Sequence, residues 1–161
     1  MFANPWAKLI LLLLASAGAA VLGATFGPGT APDAWYKTII KPAWNPPSWI
    51  FGPVWTTLYI LMAVAAWRVW TKGSVALATR HSAMWIYAAQ LLVNASWSAL
   101  FFGLQSPILA LVCIVIMWAL IVTTIIRFKP IDNAAAWMLV PYLAWVSFAT
   151  VLNATIWWLN R

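Results

Sequence analysis

Residues 107–126 read PILALVCIVIMWALIVTTII, a run without a single formal charge. A helix needs about 20 apolar residues to cross the hydrocarbon layer of a bilayer. The run does not alternate polar with apolar residues, as a strand of a membrane barrel would over about ten residues. In lipid each segment must satisfy its own backbone polar groups, which favours a helix. Residues 107–126 are therefore predicted to span a membrane.

Four more segments meet the same measure, at about 6–26, 48–70, 82–103 and 134–158, with the break Gln105-Ser106-Pro107 separating the third from 107–126. The expected fold class is an all-α membrane protein, a bundle of five transmembrane helices forming one domain over residues 1–161, with residues 27–47 as the long first loop. Lys8, the run 9–14 and Ala17-Gly18-Ala19 share the layout of a cleavable secretory signal. The apolar stretch continues through Val21, Leu22 and Phe26, longer than a signal core, so a retained span is expected.

Composition agrees. Of 161 residues 65% are hydrophobic and 7% charged, against about a quarter charged in a soluble domain. This excludes a soluble globular enzyme and a disordered chain, and the single cysteine, Cys113, excludes an intrachain disulfide. The net charge of +7 comes from nine basic residues scattered among apolar runs. They form no basic face for nucleic acid and read as membrane-flanking charges. With five crossings, Lys8, Arg68, Lys72, Arg80, Arg127 and Lys129 fall on the side of the N-terminus, and Lys37, Lys41 and Arg161 on the other. The side richer in Lys and Arg is normally cytoplasmic. The expectation is a bacterial cell membrane with the N-terminus cytoplasmic and the first loop periplasmic.

That loop holds Pro28, Pro32, Pro42, Pro46 and Pro47 together with Trp35, Tyr36 and Trp44, and Trp49 follows it. Proline fixes backbone torsions, so a stiff aromatic lid is expected, and longer ordered loops are often functional. Trp6, Trp67, Trp70, Trp137, Trp157 and Trp158 lie near span ends, where Trp commonly occupies the headgroup layer. On the third span Tyr87, Gln90, Asn94, Trp97 and Phe101 follow helical spacing along one stripe. Tyr142, Trp145, Ala149 and Asn153 do so on the fifth, and Trp55 and Tyr59 stand one turn apart on the second. The buried polar members either bond across helices or anchor a guest in a mostly apolar cavity. The pattern allows both.

Some chemistry is missing. The lone His81 and single cysteine offer no metal-binding cluster, and without a second ligand His81 is a poor haem anchor. Asp33 and Asp132, the only carboxylates, fall in loops on opposite sides. They cannot form an acid/base pair or a buried proton relay, which argues against ordinary hydrolysis and proton-coupled transport.

The run Lys41-Pro42-Ala43-Trp44-Asn45-Pro46-Pro47 followed by Trp55 resembles the first-loop signature of the translocator protein family, also known as tryptophan-rich sensory proteins or peripheral benzodiazepine receptors. Trp35-Tyr36, Gln90 with Asn94 and Trp97, Phe101-Phe102-Gly103, Pro141-Tyr142-Leu143-Ala144-Trp145 and the run 148–153 are similar to that family too, so the likeness covers nearly the whole chain. It implies a cavity that takes tetrapyrroles such as protoporphyrin IX or haem as ligand, and synthetic isoquinoline carboxamides and benzodiazepines, with no cofactor required. It implies a homodimer, and a role as sensor, carrier, scavenger or transporter. By position it implies Tyr36, Trp44, Phe51, Trp55, Asn94, Trp97, Trp145, Ala149 and Leu152 as ligand-binding residues. Some members are associated with light-dependent porphyrin breakdown, which would make Trp55 and Trp145 the catalytic pair. Porphyrin propionates would meet Lys37, Lys41 or Arg161 by charge-assisted bonds. The animal sterol motif needs a Tyr after Leu152, where this chain has Ala154, so strong sterol binding is not expected. Ala19, Gly23 and Gly27 form a small-residue row that suits either packing within the bundle or a dimer seam.

Overall fold

The first span begins where the chain supplies its own cap. The Asn4 side chain accepts a hydrogen bond from the Trp6 N–H at 2.9 Å. Pro5 takes the first helical position, where its missing N–H costs nothing. A computed structural model describes residues 4–27 and 33–161, and over them the chain is helical, without strands.

Helix α1 runs Pro5–Ala24 and a short α2, Asp33–Thr38, interrupts the first loop. A tight turn at Ser48–Ile50 leads into α3, Phe51–Thr71. Helix α4, Leu77–Ser98, widens into π geometry over Ala99–Gly103, with the Leu104 N–H reaching back to the Ala99 carbonyl at 2.8 Å. Gln105 then takes a left-handed conformation at φ 51°, letting the chain reverse. Helix α5 spans Pro107–Phe128, α6 Asn133–Met138 and α7 Val140–Leu159.

Five stretches are long and apolar enough to cross a membrane: Pro5–Ala24, Ser48–Thr71, Leu77–Gly103, Pro107–Phe128 and Asn133–Leu159. The expected five-span, all-α architecture is thus present, with three differences. The helix of the third span begins at Leu77 rather than near 82, because the polar stretch Thr79-Arg80-His81 that precedes the apolar run still closes helical backbone bonds, the Arg80 N–H donating to the Ala76 carbonyl at 3.2 Å. The fifth span is two helices, since Pro141 has no N–H to give the Trp137 carbonyl. The first loop contains α2, while its segment 28–32 lies outside the described residues.

Helix α3 packs along α1, α1 also on α4, α4 on α5, and α5 on α7. Between α3 and α7 direct contact is sparse, and α6 wedges against α3 and α5 at the end opposite the first loop. The core sets Ala63, Ala65, Ala66 and Ala135 against Met62, Tyr87, Phe128 and Tyr142, all fully or nearly fully buried. Small residues permit the close approach on which helix association in lipid depends. The row Ala19, Gly23, Gly27 faces inward: Ala19 is buried, and a Cβ on Gly23 would lie 3.3 Å from the Ser98 Oγ. Leu14, Leu92, Trp85 and Ile126 point outward.

At the α6 end, Asp132 accepts from Arg68 through both carboxylate oxygens at 3.0–3.2 Å, from Lys72 at 3.0 Å and from the Ala135 N–H at 3.0 Å. Burial opposes ionisation of this carboxyl, but the Ala135 N–H and the two cations outweigh it and hold its pKa below the ordinary aspartate value. The Trp residues at this end interlock: Trp6 stacks on Trp67 at 5.8 Å, and Lys8 lies 5.3 Å over Trp70.

Candidate ligand-binding cavity

Asn94, midway along the α4 stripe, accepts from the Tyr59 hydroxyl at 2.5 Å and donates to the Tyr142 hydroxyl at 2.7 Å. One amide therefore ties α3, α4 and α7. About three turns along α7 from Tyr142, Asn153 accepts from the Trp97 indole N–H at 3.2 Å and donates to the Pro107 carbonyl at 2.8 Å. Both asparagines bond across helices, as polar groups in lipid must, and both also border an internal space. Gln90, 1% exposed, has no partner for its amide N or O among the described residues.

That space is a cavity of about 450 Å³, within the ~300–1,000 Å³ usual for small-molecule sites. Its walls come from α1, α3, α4, α5 and α7. Helix α1 contributes a flat side of Ala20, Gly23 and Ala24, facing aromatic rings on the other elements. Trp97 stacks on Phe101 at 5.1 Å and 21°. Trp55 leans on Tyr59 at 5.6 Å and meets Tyr142 edge-on at 6.2 Å. Trp145 sits between Phe51 at 5.8 Å and Phe148 at 5.5 Å, its indole N–H buried without a partner among the described residues.

The first loop covers one end. Tyr36 of α2 packs edge-on against Phe101 and Phe102, which the π turn carries beneath it, and donates to Asn45 at 3.0 Å. Lys41 donates to the carbonyls of Tyr36 and Ile39 and lies 4.7 Å over the Tyr36 ring. Asn160, beyond α7, accepts from the Ile40 N–H at 2.9 Å and donates to the Ile40 carbonyl at 2.8 Å. The loop is thus a braced lid.

Eight sequence-derived positions share this cavity: Tyr36, Phe51, Trp55, Asn94, Trp97, Trp145, Ala149 and Leu152. Trp44 does not line it. It is 48% exposed and packs edge-on on Phe148 at 5.9 Å, because a turn from Pro42 to Asn45 carries it over the outer side of α7. Of the basic residues expected at the mouth, Lys41 braces the lid, Arg161 stacks 3.1 Å over Trp158, and Lys37 is exposed on the last turn of α2. Sequence reasoning missed Ile114 and Met117 of α5, which line the cavity. Their span is apolar on every side and marks no inward face. Asn160 was also missed, although a polar amide just past the last apolar turn is a readable capping signal. No group of three potential metal ligands occurs among the described residues. His81 is exposed on the first turns of α4, about 20 Å along the helix axis from Asn94.

The chain matches a family model described as the TspO/MBR family over residues 9–159. It is 47% identical over 143 residues to the tryptophan-rich protein TspO of Chlorobaculum tepidum, covering 86% of each chain. It is 42% identical to the tryptophan-rich sensory protein of Cereibacter sphaeroides, over 92% of this chain and 88% of that one. With the human translocator protein it shares 33% identity, over 96% of this chain and 91% of the relative. A five-span integral membrane protein with these relatives belongs to the TspO/MBR family.

Proposed function

We propose that this protein binds tetrapyrroles, protoporphyrin IX foremost, and acts as a membrane sensor, carrier or scavenger of them. The observation that carries the reading is the convergence of Trp55, Trp97 and Trp145 from three helices on one cavity. A porphyrin is a flat, largely apolar π-system. Indole faces stack on such a guest at little entropic cost, and the few polar groups, among them Asn94 and Asn153, set its orientation. The sensory and translocator names of the relatives point the same way. The location proposed with it is a bacterial cell membrane with the lid side periplasmic, an orientation supported by the excess of Lys and Arg on the opposite side. Titrating the protein with protoporphyrin should quench Trp fluorescence saturably, and Asn94→Ala or Trp145→Ala should weaken binding at least fivefold. Quenching that never saturates, or that both variants leave unchanged, would reject the site.

Two redox-capable indoles on one cavity also support a second reading, light-dependent degradation of the bound porphyrin by Trp55 and Trp145. Illumination should then bleach the Soret band more slowly in Trp55→Phe and Trp145→Phe. Equal bleaching in all three proteins would leave the protein a binder.

A further inference from the structure

Trp145 belongs to two concavities at once. It forms part of the cavity wall and part of a shallow apolar groove on the outer surface. Leu58 and Leu61 of α3 line one side of that groove, Pro141, Ala144 and Phe148 of α7 the other. The groove follows the seam where α3 and α7 make only sparse direct contact. Side chains rather than helix backbones close the bundle there, and at Trp145 a single indole separates interior from exterior.

Among the described residues no hydrogen bond holds that indole in place. Trp97 is pinned by its N–H to Asn153, and Trp118 by its N–H to Ser147 at 2.8 Å. Among the described residues the Trp145 N–H has no such partner, and its ring is held by apolar packing, with Phe51 and Phe148 against it. Turning the ring aside would break no hydrogen bond, and a buried donor without a partner is itself unfavourable. Opening the lid is different. It would break the pair between Asn160 and Ile40 and lift Tyr36 off Phe101 and Phe102, while the Tyr36–Asn45 and Lys41 bonds brace the loop within itself.

We propose that Trp145 is a lateral gate, through which a planar apolar guest dissolved in the bilayer enters and leaves the cavity along the α3–α7 seam. The proposal rests on the reading of the cavity as a guest site and adds the route. Such a guest concentrates in lipid, where the groove lies, and meets there a wall made by one indole whose N–H has no partner among the described residues.

The test uses the full chain in proteoliposomes, with protoporphyrin and a neutral isoquinoline carboxamide as separate probes. Stopped-flow Trp quenching reads association and competition reads release. Ala144→Trp fills the groove from α7 without touching the cavity lining, and Thr57→Trp fills it from α3. Each should slow association and release by tenfold or more at unchanged Kd. Val151→Trp, exposed on α7 away from the groove, should change neither. Unchanged rates in both groove variants overturn the gate while leaving the tetrapyrrole reading intact. Failure of protoporphyrin to bind, with the carboxamide bound and slowed, overturns the tetrapyrrole reading and upholds the gate. Binding of neither probe to the wild type overturns both.

Discussion

Asn160 holds both backbone polar groups of Ile40, which lies 120 residues earlier in the chain. This pairing fastens the covering loop to the end of α7. In Asn160→Ala, amides around Ile40 should exchange with deuterium at least tenfold faster while those of α5 and α7 keep their protection. The expected cost in global stability is about 1 kcal/mol, the usual size of a partly solvated hydrogen-bond pair. Unchanged exchange at Ile40 would show that the clamp does not order the loop.

Asn94→Ala leaves the hydroxyls of Tyr59 and Tyr142 without their shared partner. Interhelical bonds of this kind contribute about 1 kcal/mol each in membranes. The variant should lose about 1–3 kcal/mol in a detergent unfolding titration, the range for stranding buried polar groups. Adding Tyr59→Phe to Asn94→Ala should restore part of that loss. If it instead adds a further full loss, the network reading is wrong.

Gln90 presents the opposite case, a buried amide whose N and O have no partner among the described residues. Gln90→Leu, similar in volume, should raise the unfolding free energy by about 1 kcal/mol by removing the unpaired groups. A marked loss of stability would mean that the amide is paired in the membrane-embedded protein.

Asp132 sets an acid limit. Its folded pKa lies below the ordinary aspartate value, so the folded state favours the ionised form. The resulting stabilisation is complete at neutral pH. It begins to fade as pH drops toward the unfolded value of about 3.9 and is lost as pH falls through the depressed folded value. Arg68 and Lys72 are 37% and 42% exposed, so solvent screening limits the contribution to about 1 kcal/mol. Unfolding titrations across pH 2–7 should show this loss in the wild type and a flatter profile in Asp132→Asn. Parallel profiles would remove the ion pair as the cause.

The sequence by itself determined the five spans and two of the inward stripes. Lipid offers the backbone no partners, so each long apolar run must be a helix. A polar residue within a run, such as Asn94 or Asn153, must face other helices rather than acyl chains. Helical spacing then carries Trp97, Trp145 and Ala149 to the same side.

Only the tertiary structure decided the rest. Ile114 and Met117 line the cavity from a helix whose every face is apolar. In a bilayer, hydropathy reports how deep a residue lies and not which way it points. Trp44 turned outward onto Phe148, Asn160 found Ile40, and Trp145 became the wall between cavity and groove. Each outcome depends on which helices pack side by side and how closely, a property of the assembled bundle that no single span encodes.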